Sequence, residues 1–73
     1  MSESIHADMS ANVWKILVAP GDAVEEDTPL MILESMKMEI PVMSEVAGVV
    51  VAVHVSEGDS VDPGQSLLDL STD

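Results

Sequence analysis

Leu30-Met31-Ile32-Leu33-Glu34-Ser35-Met36-Lys37-Met38-Glu39-Ile40-Pro41-Val42-Met43 decides how this chain must fold. The stretch is almost unbroken apolar sequence that reads as a strand, with no Gly, Asn or Asp and only a late Pro41. Fourteen extended residues would span about 46 Å at roughly 3.3 Å each. A compact domain of this length has a radius of gyration near ~11 Å and a diameter of only about 30 Å. The strand must therefore reverse, and the polar residues nearest its midpoint surround Lys37. A tight turn built without turn-forming residues is a local inconsistency, and such places are often functional.

The chain repeats itself at an offset of 37 residues. Trp14-Lys15-Ile16-Leu17-Val18-Ala19-Pro20-Gly21-Asp22-Ala23-Val24 matches Val51-Ala52-Val53-His54-Val55-Ser56-Glu57-Gly58-Asp59-Ser60-Val61. The match continues from Leu30-Met31-Ile32-Leu33 to Leu67-Leu68-Asp69-Leu70. Halves this small cannot each bury a core alone, so they should pack face to face about a pseudo-two-fold axis. Alternation predicts strands with Trp14, Ile16 and Val18 on one face, like Val51, Val53 and Val55, and with Lys15, Ala52 and His54 on the other. Met31 and Leu33, with Leu68 and Leu70, form a second inward pair, and Trp14 reads as a core anchor. Breaks are expected at Pro20-Gly21, at Glu25 to Pro29, at Glu57-Gly58-Asp59 and at Asp62-Pro63-Gly64. Glycines 21, 48 and 58 read as backbone necessities, Gly48 also allowing a neighbouring strand to approach. No segment keeps helical periodicity over three turns. The expected fold is all-β, a small sandwich or flattened barrel with the Lys37 hairpin at one end and both termini at the other.

Composition narrows the function. Seventy-three residues make a single domain, residues 1–73, with its core at about 5–70. The formal charge is −12, from 14 acidic residues against Lys15 and Lys37, with no Arg. Such a chain repels phosphate backbones and anionic membranes, which excludes nucleic-acid binding. It reads as a self-repelling soluble surface, with steering toward basic docking faces as the functional alternative. Cysteine is absent, which suits a reducing cytosol and removes disulfides and thiolate metal sites. The polar start Met1-Ser2-Glu3-Ser4 is not read as a signal peptide, and no apolar run is long enough to span a bilayer.

Glu34-Ser35-Met36-Lys37-Met38-Glu39-Ile40-Pro41, preceded by Gly21-Asp22 and followed by Ala47-Gly48-Val49-Val50, resembles the biotinyl domain of biotin-dependent carboxylases. The resemblance runs from about Ile5 to Leu70 and is nearest to the small stand-alone biotin/lipoyl attachment proteins of bacteria. It implies two four-stranded antiparallel sheets and covalent biotin on Lys37, with Met36, Met38, Glu34, Ser35 and Glu39 as flanking recognition residues. It also implies a biotin carboxyl carrier that is not itself an enzyme. A biotin protein ligase would load it, a biotin carboxylase would charge the biotin, and a carboxyltransferase would pass the carboxyl group to an acceptor such as an acyl-CoA. The implied setting is cytoplasmic. Related lipoyl domains usually present the lysine within Asp-Lys-Ala, and neither neighbour occurs here, so a lipoyl carrier is the alternative. The chain lacks the thumb insertion of some acetyl-CoA carboxylase carriers and a Pro/Ala-rich linker.

Other readings of the same residues are weaker. A Schiff-base lysine needs a desolvated amine beside acid-base groups, and Lys37 has two methionines as neighbours. Met36 and Met38 would share a core face only if the strand ran straight. His6 and His54 lack metal-ligand spacing and read as ordinary surface histidines, so no metal is expected. A module with no prosthetic group, acting through its acidic surface, remains a third reading.

Overall fold

The computed structural model describes residues 2–72, and all the regular secondary structure among them is β-strand. In chain order the strands are β1 (Ser2–His6), β2 (Ala11–Ile16), β3 (Ala23–Val24), β4 (Pro29–Ser35), β5 (Met38–Met43), β6 (Gly48–Val53), β7 (Ser60–Val61) and β8 (Ser66–Ser71). They form two four-stranded sheets, ordered β1-β8-β6-β3 and β5-β4-β2-β7, with every pairing antiparallel. The expected reversal of the apolar stretch is there, as β4, a turn and β5. The expected breaks also fall between strands, at Pro20-Gly21, around Glu26-Asp27, at Glu57-Gly58 and at Pro63-Gly64.

The 37-residue offset is a symmetry of the backbone. Adding it carries β2 onto β6 and β3 onto β7 residue for residue, and it exchanges the strand orders of the two sheets. The hydrogen bonds outside the strands obey it too. Gly21 N–H donates to the Val50 carbonyl at 2.7 Å, and Gly58 N–H donates to the Val13 carbonyl at 2.7 Å. Each of these turns is held by a strand of the other half. The halves are interlocked, so neither closes a core alone.

That core is built from Val13, Val24, Leu30, Met31, Leu33, Val50, Val61, Leu67, Leu68 and Leu70, with Ala7 and Val55 completing it. Ile16, Val18 and Val53 pack against it partly buried, as their alternation predicts. Gly48 is fixed by close approach, since a Cβ there would run into the Ser71 carbonyl oxygen. Among the described residues no buried side-chain polar atom lacks a partner. Ser44, fully buried, donates to the Val46 carbonyl.

Trp14 departs from expectation. It is 45% exposed, while its neighbour Val13 is buried at 1%. The cause is a β-bulge between Val13 and Lys15 in the pairing of β2 with β4. A bulge sets two residues opposite one, so Trp14 and Lys15 both face outward and the inward series resumes at Ile16. Val51 follows the same rule at the related bulge between Val50 and Ala52, and it is 55% exposed.

The molecule is elongated, 36 × 18 × 17 Å, with a radius of gyration of 11.3 Å. Ser2 pairs with Ser71. From there the chain runs through β1 to Ser10, whose carbonyl meets the neck of the β4–β5 hairpin. The hairpin tip thus lies at the end away from the Ser2–Ser71 pair. Met1 and Asp73, on which the expectation about the termini themselves falls, lie outside the described residues.

Candidate functional site

The tip is a two-residue connection. Ser35 pairs with Met38 and Glu34 with Glu39, leaving Met36 and Lys37 as the turn. Both have positive φ, 52° and 65°. That pair of signs belongs to the primed hairpin turns, whose twist matches the flanking strands and which favour Asn-Gly or Gly-Gly. An ordinary L-residue in this region is disfavoured by about 1–2 kcal/mol, because its Cβ crowds the following carbonyl oxygen. Two such residues in succession are held here by the pairing of β4 with β5. Every other positive-φ position among the described residues has a partner at the 37-residue offset, Gly21 with Gly58 and Asp27 with Gly64.

The side chains project from this turn. Met36 is 91% exposed and Met38 63% exposed, and Lys37 is exposed between them. Exposure of large apolar side chains at a tip is the opposite of what the fold needs, so they are available for transient contact. The neck below is stiffened by polar groups. Ser35 Oγ donates to the Ser10 carbonyl at 3.1 Å, and Ser60 Oγ donates to Asn12 Oδ1 at 2.9 Å on the strands alongside. Glu34 lies directly across from Glu39, both exposed. Like charges in this relation destabilise a sheet, so the pair does not serve the fold.

All six residues singled out from sequence are thus brought together: Lys37 at the apex, Met36 and Met38 beside it, Glu34, Ser35 and Glu39 at the neck. Ser10, Asn12 and Ser60 were missed. They sit on loops and strands remote in sequence, and only the pairing of β2 with β4 and β7 makes them neighbours of the hairpin. A shallow cleft of about 330 Å³ runs beside the neck, between Ser10, Asn12, Glu34 and Ser60. A larger one, about 510 Å³, opens between the edge strands β1 and β5 and does not include the tip residues.

The histidines do not join the site. His6 is exposed, and His54 Nε2 lies 2.9 Å from Asp69 Oδ2 on the outer face of the other sheet. Hydrogen bonds from His54 and then Ser4 hold the Asp69 carboxyl below its ordinary pKa. Among the described residues no cluster of three His, Cys, Asp or Glu is arranged to hold a metal ion. No helix there is long and apolar enough to cross a membrane.

An exposed amine on a two-residue hairpin turn is chemically suited to being acylated and to swinging what it carries. A family model described as "Biotin-requiring enzyme" matches residues 2–70. The chain is 44% identical over 68 residues to a biotin/lipoyl attachment protein of Bacillus subtilis, covering 93% of each. It is 43% identical over 70 residues to a biotin carboxyl carrier protein of Streptococcus mutans, covering 96% of this chain and 54% of that one. Among solved structures, the urea carboxylase of Kluyveromyces lactis superposes over 97% of this chain and 6% of its own, with a TM-score of 0.91 and 28% identity. A lipoyl domain of the 2-oxoglutarate dehydrogenase complex of Azotobacter vinelandii superposes over 85% of this chain and 78% of its own, with a TM-score of 0.75 and 31% identity. With a family match over residues 2–70, this chain belongs to the biotin/lipoyl attachment family of biotin-requiring enzymes.

Proposed function

We propose that the chain is a biotin carboxyl carrier, with biotin joined as an amide to the side-chain nitrogen of Lys37. The observation that carries this reading is the Met36-Lys37 turn itself, two non-glycine residues at positive φ with the lysine exposed at the tip. A ligase needs an amine it can reach from several sides, and a two-residue turn offers one without local unfolding. In its neutral form the Lys37 amine attacks the carbonyl carbon of a biotinyl-adenylate held by the ligase, the bond to the phosphate oxygen breaks and AMP leaves, the nitrogen loses a proton, and the amide formed carries no charge. Met36 and Met38 supply adaptable apolar contact to the enzymes that visit the tip. Glu34 and Glu39 keep the neck solvated. Ser35, bonded to Ser10, keeps the hairpin from bending back onto the sheet.

Biotin would supply a ureido nitrogen that takes up a carboxyl group at a biotin carboxylase and releases it at a carboxyltransferase. The chain contributes no catalytic group to either step. Its part is tethering, which raises the effective concentration of the carried group at two sites within reach of one arm. The arm from the Lys37 Cα through biotin runs over about a dozen bonds, roughly 15 Å when extended. The partners in this reading are a biotin protein ligase, a biotin carboxylase and a carboxyltransferase, working in the cytoplasm.

A lipoyl carrier is the second reading, favoured by the likeness to the Azotobacter lipoyl domain. Co-expression with a biotin ligase, and separately with a lipoyl ligase, followed by intact mass, separates the two. The carrier reading expects a single biotin adduct and no lipoyl adduct. A lipoyl adduct alone would replace it with the second reading.

A further inference from the structure

The internal symmetry supplies a control for surface chemistry. Positions 37 residues apart occupy equivalent places on the outer faces of the two sheets, on nearly the same backbone. On the face of β1-β8-β6 those places form a polar network. Ser4 Oγ donates to Asp69 Oδ1 at 2.8 Å, and His54 Nε2 meets Asp69 Oδ2 at 2.9 Å. On the lysine-bearing sheet the same places are apolar. Pro41 stands for Ser4, Ile32 for Asp69, Leu17 for His54 and Met43 for His6. The exchange runs the other way at Asn12, which answers Val49, 42% exposed, and at Lys15, which answers Ala52.

These residues form one connected patch. Lys15, Ile32 and Pro41 are in register across β2, β4 and β5. Trp14 is turned outward by the bulge, with the Lys15 ammonium 5.8 Å from its ring centre. Leu17 and Met43 extend the patch, at 46% and 40% exposure. At Pro41, Ile32, Leu17 and Met43 the fold does not require an apolar residue, since the other sheet fills those places with Ser4, Asp69, His54 and His6, whereas Trp14 has Val51, itself 55% exposed, as its counterpart. An apolar face kept open where a polar one is demonstrably compatible with the backbone marks a contact surface.

We infer that the outer face of β2-β4-β5 docks a partner protein whose contact surface has an apolar centre rimmed by Lys and Arg. Charge decides the occupant. Glu34 and Glu39 close the patch on the side of the tip, directly across from one another, so a cationic side chain on the partner would lie between two like charges and relieve their repulsion. A second copy of this chain would bring another net charge of −12 to the contact and be repelled. A partner gripping this face would sit beside Lys37 without covering it, so it would position the tip at the partner's own site. Resting on the carrier reading, the partner is the biotin carboxylase.

Trp14 lies in the patch and is the chain's only aromatic residue, so it reports on the contact directly. The chain, labelled with 5-fluorotryptophan, is titrated with a purified bacterial biotin carboxylase and followed by ¹⁹F NMR, while intact mass records biotin uptake by Lys37. The single resonance should shift or broaden, and the effect should weaken with added NaCl. Leu17→His with Ile32→Asp, which copies the other sheet, should weaken binding by about tenfold or more and leave biotin uptake unchanged. Leu17→His with Met43→His is the milder variant should the first not fold, and it should weaken binding in the same direction. Asp69→Ile with His54→Leu, the reciprocal exchange, should leave binding as it is. A resonance unmoved by saturating carboxylase, while Lys37 accepts biotin, would overturn the docking face and leave the carrier reading standing. A resonance that moves with the chain's own concentration would overturn the choice of partner in favour of a second copy. Failure of Lys37 to accept biotin would overturn the choice of partner together with the carrier reading.

Discussion

Met36 and Lys37 hold a conformation that Asn and Gly would adopt more readily. Selection for stability alone would have replaced them, so the turn records a requirement for these side chains. Met36→Asn with Lys37→Gly should therefore stabilise the domain by about 1–2 kcal/mol, the cost of left-handed backbone at one ordinary L-residue. For a domain of this size that is a rise in melting temperature of about 4–8 °C per kcal/mol, readable by calorimetry. On the carrier reading the same variant should accept no biotin, as intact mass after co-expression with a biotin ligase would show. A melting temperature unchanged or lowered would mean that the turn is not strained and that its residues need another explanation. The motif was legible because its chemistry conflicts with its place, and the conflict is written in residue types alone. Ser10, Asn12 and Ser60 were not legible, because their closeness to the hairpin comes from pairings between distant segments.

At the scale of the strand, the repeat and its turns were readable from spacing, and the bulges were not. Period-two alternation assumes an unbroken ladder. One inserted residue reverses it, and this put Trp14 outside and Val13 inside. Nothing in Trp14-Lys15-Ile16 announces the insertion, since a large aromatic residue is the usual occupant of a core position. The exchange has a measurable consequence. Trp14→Val, which installs the residue of the related bulge, should cost under about 1 kcal/mol, as surface substitutions do. Leu68→Ala, at a fully buried position, should cost about 2–5 kcal/mol. Urea titration compares the two directly, and a Trp14→Val loss as large as that of Leu68→Ala would restore Trp14 to the core. Similarity between the halves led to the fold, whereas their differences, Ile32 against Asp69 and Leu17 against His54, point to the docking face.

Taken whole, the described residues form a scaffold of two related halves whose outer faces differ most at Ile32 against Asp69 and Leu17 against His54. The polar face contributes to stability through Asp69. Its carboxyl is held below the ordinary range by hydrogen bonds from His54 and Ser4, so the folded state favours the ionised form. That contribution is present above the carboxylate's ordinary pKa and is lost as pH falls through the lowered folded value. Asp69→Asn should be less stable than the unaltered chain near neutrality, with the difference shrinking on acidification below the carboxylate range, as followed by urea unfolding at several pH values. A constant difference would mean that charge on Asp69 plays no part. The carrier assignment rests on something simpler. The chain has two lysines, Lys15 against the Trp14 ring and Lys37 at the tip. Co-expression with a biotin ligase and peptide mapping by tandem mass spectrometry should find biotin on Lys37 and none on Lys15, and Lys37→Ala should lose all labelling while melting as before. Biotin on Lys15, or no biotin on a folded chain beside a fully labelled control carrier, would contradict the account.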